Sequence, residues 1–150
     1  MLTKKGKYGL KALIYLSRLA PGEVALINTI AEADESPKKF LEAILIDLKK
    51  AGFVHSKKGK GGGYLLARQP EEIHVGQVIR ALDGPLAPIA CASSNFFQKC
   101  DDCVDEKTCA VRLTMLNVRN AISDVLDRQT LADLRDMPRH LRKTRRAAAG

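Results

Sequence analysis

Residues 36–67 read SPKKFLEAILIDLKKAGFVHSKKGKGGGYLLA. Within them Leu41, Ile44, Leu45 and Leu48 fall at i, i+3, i+4 and i+7, the single apolar stripe of an amphipathic helix. Ser36 stands where an N-cap belongs, Pro37 fills the first helical position, and Gly52 ends the run. The pattern then changes period. Phe53-Val54-His55-Ser56 and Tyr64-Leu65-Leu66-Ala67 are extended runs on either side of Lys57-Lys58-Gly59-Lys60-Gly61-Gly62-Gly63. That arrangement predicts a β-hairpin with a basic, glycine-rich tip.

Just upstream, Leu26, Ile27, Ile30 and Ala31 mark a short helix that stops near Asp34, about two residues before the next begins. Two helices joined by so tight a turn, followed by a hairpin, predict a winged helix-turn-helix. Ahead of it, Leu10, Leu13, Ile14, Leu16 and Leu19 give Lys4 to Ala20 a wide apolar face. Lys4, Lys7, Lys11 and Arg18 share another face, and Pro21-Gly22 closes the helix.

Downstream, Val75, Val78, Ile79 and Leu82 predict a short helix ended by Gly84-Pro85, after which no period is visible to about Thr108. From Cys109 onward Val111, Met115, Val118, Ile122 and Val125 repeat as the a/d seam of a coiled coil. A partner helix from a second copy is expected, with packing against the chain's own domain as the alternative. Thr130 to Arg135 reads as a last turn. The expected fold class is therefore mainly α with a small β-hairpin wing, a winged helix-turn-helix plus a long C-terminal dimerisation helix. Its parts are the winged helix-turn-helix (1–84), a cysteine-rich loop (85–108), the dimerisation helix and last turn (109–136), and a basic tail (137–150).

At 150 residues the chain is too short for a large multidomain enzyme. Apolar residues make up 45% but aromatics only 5%, so the core must be built from Leu, Ile, Val and Ala, which favours helices. The net charge is +8 and unevenly placed. Residues 1–68 hold 13 Lys/Arg against 6 Asp/Glu, residues 69–137 hold 7 against 11, and residues 138–150 hold 5 against none. A basic first half suits a polyanionic partner. No run approaches the roughly 18 apolar residues of a membrane span, and no export signal is evident, so a cytoplasmic protein is expected.

The helix after Ser36 would enter a major groove by its N-terminal end, which carries Lys38 and Lys39, with Ser36 donating to a phosphate. Lys57, Lys58 and Lys60 would reach a neighbouring groove or the backbone, and Gly61 and Gly62 allow close approach. A P-loop reading of the same glycines fails because Gly61, not Ser or Thr, follows Lys60 and no helix comes next. His55, His74 and His140 have no recognisable catalytic partners, so no enzyme is expected.

All four cysteines, Cys91, Cys100, Cys103 and Cys109, fall within the aperiodic loop or at its end. Four soft sulfur donors suit either a structural zinc or an iron-sulfur cluster. Only Cys100 and Cys103 form the close pair that zinc sites repeat, which favours a cluster; four free thiols is the remaining alternative.

Several stretches together resemble the Rrf-two family of winged-helix regulators, whose members include IscR-, NsrR-, RirA- and CymR-like proteins. They are Leu2-Thr3-Lys4-Lys5-Gly6-Lys7-Tyr8, Phe40-Leu41-Glu42, Leu48-Lys49-Lys50-Ala51-Gly52-Phe53-Val54, Gly61-Gly62-Gly63-Tyr64-Leu65-Leu66 and Thr130-Leu131-Ala132-Asp133-Leu134. The resemblance covers about residues 1–136. It implies a homodimer joined through the long C-terminal helix, bound to a palindromic operator in double-stranded DNA, and adds Thr3, Lys4, Lys7 and Tyr8 to the expected DNA-contacting residues. In many members three loop cysteines hold an iron-sulfur cluster that senses iron, redox or sulfur status, and Cys91, Cys103 and Cys109 fit that scheme. A 2Fe-2S cluster is favoured over 4Fe-4S. Cys100 is extra, while the histidine that completes the set in IscR-like members is replaced here by Arg112. Cys100 then supplies the fourth ligand, or replaces Cys103. The segment Leu82-Asp83-Gly84-Pro85-Leu86-Ala87-Pro88 is closer to CymR-like members, some of which carry no cluster and answer to a partner protein.

Overall fold

A computed structural model describes residues 2–138; the expected basic tail lies outside them except at its first two positions. The order is α1 (Lys4–Leu16), α2 (Ile27–Asp34), α3 (Lys38–Lys50), β1 (Val54–Lys57), β2 (Gly63–Leu66), α4 (Val75–Asp83) and α5 (Ala110–Arg128). Short 3-10 turns occupy Pro70–Glu72 and Ala90–Ala92, and the chain is helical again over 131–138. The last turn expected at Thr130 to Arg135 is thus a true helix.

The predicted stripes meet in one core. Leu13 of α1, Ile30 of α2, and Leu41, Ile44, Leu45 and Leu48 of α3 are almost wholly buried together with Ile73, Val78 and Leu131. α1 stops at Leu16 rather than running to Ala20. The buried Ser17 hydroxyl donates back to the Ile14 carbonyl at 2.6 Å, and the Ala20 N–H goes to Glu23 Oε2 at 2.9 Å. Such local bonds offer the backbone an alternative to the helix.

The turn between α2 and α3 also corrects the reading at Ser36. Glu35 adopts a left-handed conformation (φ 51°), which lets the Ser36 N–H close α2 on the Ala31 carbonyl at 3.0 Å. Pro37, not Ser36, takes the N-cap position, with no side-chain cap. The Ser36 hydroxyl is left buried without a hydrogen-bond partner among the described residues, so it does not face the surface where a phosphate would lie.

β1 and β2 pair antiparallel from Val54 opposite Leu66 to Lys57 opposite Gly63. Ala25, just before α2, adds a bridge to Tyr64 through bonds of 2.9 and 2.8 Å. Gly63 (φ 151°) makes this approach possible, since a Cβ there would run into the Ala25 carbonyl. Of the two glycines expected to allow close approach, Gly62 is used inside the hairpin, where a Cβ would run into the Lys57 and Gly59 carbonyls, whereas Gly61 at the tip (φ 75°) faces open space.

α5 packs beside α4. Ile122 and Leu126 cover Val75, Ile79 and Leu86, and Leu10 and Leu134 complete this smaller cluster. At its far end the chain is stapled back on the domain by bonds from Val75 N–H to Gln129 (2.9 Å) and from Leu131 N–H to Ile73 (2.8 Å). The predicted seam is consequently divided between two sides. Ile122 faces α4 and Met115 is half-buried, while Val111, Val118 and Val125 are exposed. With Thr114 and Ala121, these three valines form an exposed stripe repeating at 3 and 4 residues.

Candidate nucleic-acid interface and cysteine loop

Lys38 and Lys39 stand exposed in the first turn of α3, and Lys57, Lys58 and Lys60 stand exposed on the wing. The Lys49 ammonium donates to Ser56 Oγ at 2.7 Å, tying the end of α3 to the first wing strand. Lys4 and Lys7 are exposed on α1, while Thr3, exposed as well, and the half-buried Tyr8 already have partners within the chain. Thr3 caps α1 by accepting from the Gly6 N–H, and it donates through its hydroxyl and its N–H to the Asp83 carboxylate. Tyr8 is half-buried and meets Phe40 edge to face, with centroids 5.7 Å apart, under the Lys11 ammonium. These interactions set how α1 presents the start of α3.

The exposed side of α3 also carries Glu42, Ala43 and Ile46, which the sequence reading did not place in the site. The signal was present, because all three lie off the stripe formed by Leu41, Ile44, Leu45 and Leu48. An exposed Ile in mid-helix, 49% accessible, is an apolar surface of the kind that contacts a thymine methyl group, and a neighbouring carboxylate can accept from a base amino group.

The four cysteines are free thiols. Cys91 is buried in the 3-10 turn, Cys100 is exposed, and Cys103 and Cys109 are half-buried, with Cys109 at the N-cap of α5. The Cys100 thiol is pushed up by its hydrogen bond with Cys91, then by the charge of Cys91, burial, Asp102 and Cys109. The Cys103 thiol is pushed up by burial, then by the charge of Cys109. The Cys103 N–H meets the Cys100 carbonyl at 3.2 Å, closing the short turn between them. Among the described residues no three ligating side chains are drawn together as a metal ion would hold them.

Two arginines seven residues apart on α5 brace this loop. Arg112 donates through Nε to the Cys91 carbonyl (2.8 Å) and through Nη1 to the Glu106 carbonyl (3.3 Å), and its guanidinium lies 5.6 Å from the Phe97 ring centroid. Arg119 donates through Nη1 to the Ala92 carbonyl (2.9 Å) and Ser94 Oγ (2.7 Å). Arg112, noted in the sequence only as a side chain that cannot ligate, thus clamps both ends of the cysteine segment.

A tight two-helix turn, a paired wing with an exposed cationic tip and a lysine-tipped second helix are the architecture of a winged-helix transcriptional regulator. The chain belongs to the Rrf2 family, whose model, described as an iron-dependent transcriptional regulator, matches residues 2–137. It is 41% identical to an rrf2-like protein of Rhodobacter capsulatus, over 89% of this chain and 91% of that one. It is similar in structure to CymR, the global cysteine regulator of B. subtilis (31% identity, TM-score 0.74, 91% of this chain and 97% of that one). IscR of T. potens matches with 34% identity and a TM-score of 0.69, over 89% of this chain and 85% of that one. These relatives regulate transcription and are not enzymes. Among the described residues no helix is long and apolar enough to cross a membrane.

Removing the clamp gives the first test. Arg112→Ala should speed amide exchange across residues 91–107 by about tenfold, the loss of roughly 1–2 kcal/mol of local protection, while exchange in α3 stays unchanged. Unaltered exchange in the loop would show that the clamp carries no weight.

Proposed function

We propose that this chain is a homodimeric DNA-binding regulator whose loop cysteines hold an iron-sulfur cluster that sets the placement of its two DNA-binding heads. The observation that carries this reading is that all four thiols lie in the one loop that leads into α5, the helix whose outer side is a bare valine stripe, although the loop must tighten before they share one ligand. The donor types suit such a group: Cys91, Cys103 and Cys109 match the family scheme, and Cys100 offers a fourth sulfur from the same loop. When bound, the cluster supplies iron that responds to redox state or to small ligands. The fit to zinc is weaker because only one close cysteine pair is present.

The chain's own residues do the rest. Lys38 and Lys39 neutralise phosphates beside the start of α3, Ala43, Ile46 and Glu42 face the base edges, and the wing lysines follow the neighbouring backbone. Val111, Val118 and Val125, with Thr114 and Ala121, pack on the same stripe of a second copy, so that two heads meet a two-fold-related operator. Cys109 caps the same helix, so the loop can bias how the copies sit.

The likeness to CymR favours a second reading, in which the loop holds no cluster and a partner protein provides control. Oxygen-free purification with iron, sulfide and zinc analysis decides. Stoichiometric iron and sulfide with sulfur-to-iron charge-transfer absorption is the expected result. A colourless protein with one zinc would replace the cluster by a structural metal, and metal-free protein whose operator binding survives loss of all four thiols would favour the CymR-like reading.

Two variants test the remaining parts. Changing both Lys38 and Lys39 to Ala should weaken operator binding and reduce the slope of log affinity against log salt by about 0.9 for each phosphate no longer neutralised. Val118→Glu should convert the dimer to a monomer in sedimentation equilibrium while leaving the circular dichroism spectrum unchanged, since Val118 is 39% exposed and outside both apolar clusters.

A further inference from the structure

A small cavity of about 110 Å³ lies between α4, α5 and the first part of the cysteine loop, on the side of α5 opposite the valine stripe. Two guanidiniums, Arg80 and Arg119, line it together with the hydroxyls of Ser93, Ser94 and Ser123, and no acidic side chain is among its lining residues. Arg80 is already paired: Nη1 and Nη2 donate to the two Asp127 oxygens at 2.6 and 2.9 Å. Arg119 is not. Its described partners are all neutral, namely the Ala92 carbonyl, Ser94 Oγ and the Asn120 side-chain oxygen. The cavity therefore holds two fixed positive charges against one negative, a surplus of one. Its other wall is apolar, formed by the buried Leu86 and by Phe96, which is 66% exposed at the surface.

We propose that this cavity binds a small organic carboxylate. A monoanion balances the single surplus charge; Arg119 keeps one Nη2 N–H free of its neutral partners, and a carboxylate that also replaces the Asn120 oxygen would take the Nε and Nη2 donors together as a fork. The hydroxyls offer further donors, while Leu86 and Phe96 accept a short aliphatic body, which a bare inorganic anion lacks. The volume is well below the roughly 300 Å³ at which drug-sized pockets begin, so the ligand has only a few heavy atoms. The proposal uses neither the cluster nor the DNA reading of the molecule. It also places the ligand against Ser93 and Ser94, next to Ala92 and Cys91.

The test is direct binding to the full chain, followed by backbone amide shifts in NMR, with butyrate as the probe. Butyramide, which has the same body without charge, and inorganic phosphate serve as comparisons. Saturable shifts confined to Ser93, Ser94, Arg119 and Ser123 with butyrate, and none with butyramide, are the expected result. Arg119→Gln should weaken butyrate binding by at least about tenfold, roughly 1.4 kcal/mol. Ser123→Val narrows the cavity without altering charge and should weaken it as well, and Lys99→Gln should not. The proposal is overturned if butyramide binds equally, if phosphate binds more tightly than butyrate, or if neither cavity variant changes the affinity. Absence of saturable shifts in the folded wild-type chain would overturn it too.

Discussion

Ile122 and Leu126 lie on Val75, Ile79 and Leu86, and from this apolar junction the rest of the molecule takes its geometry. α5 has no fully buried residue, so two half-buried side chains do most of the holding. By area they contribute roughly 2–4 kcal/mol. The bonds between Arg80 and Asp127 beside them are more than a third exposed and add at most about 1 kcal/mol, though the guanidinium holds the Asp127 carboxyl below its ordinary range. The apolar junction attaches the helix, and its rotation is set by that junction together with the bonds of Arg112 and Arg119 to the loop. That rotation decides which residues face inward as braces and which face outward as bare valines.

The inward face is unusual in being built from arginines as much as from apolar groups. Arg112 and Arg119, two turns apart, end on the carbonyls of Cys91 and Ala92. A loop with no secondary structure beyond one 3-10 turn is thereby pinned at one end by side chains from a helix and at the other by continuity with that helix at Cys109.

The helix-turn-helix was legible because Leu41, Ile44, Leu45 and Leu48 mark a stripe that nothing else satisfies. The wing was legible because the period changes at Phe53. Ser36 was misread because its preference for caps is real but local, and the left-handed Glu35 directed the Ser36 N–H to α2 instead. The end of α1 was overrun for a similar reason, Ser17 bonding back to Ile14. A heptad pattern says that a helix has an apolar side but not which flank meets its own domain, so the seam on α5 was read as one surface where there are two. The roles of Arg112 and Arg119 left no periodic trace, since their carbonyl partners lie 21 and 27 residues away.

The pairing of Ala25 with Tyr64 joins the wing to the segment that leads into α2, and Gly63 is the residue that permits it. With Lys49 bonded to Ser56 on the other side, the hairpin is fastened at its Ser56–Tyr64 pair, toward the tip, to the end of α3 and to the segment that leads into α2. It therefore cannot swivel independently. In the proposed complex the span from the lysines of α3 to those at the hairpin tip is then a set gauge, and a duplex whose grooves do not match it must itself flex to be held.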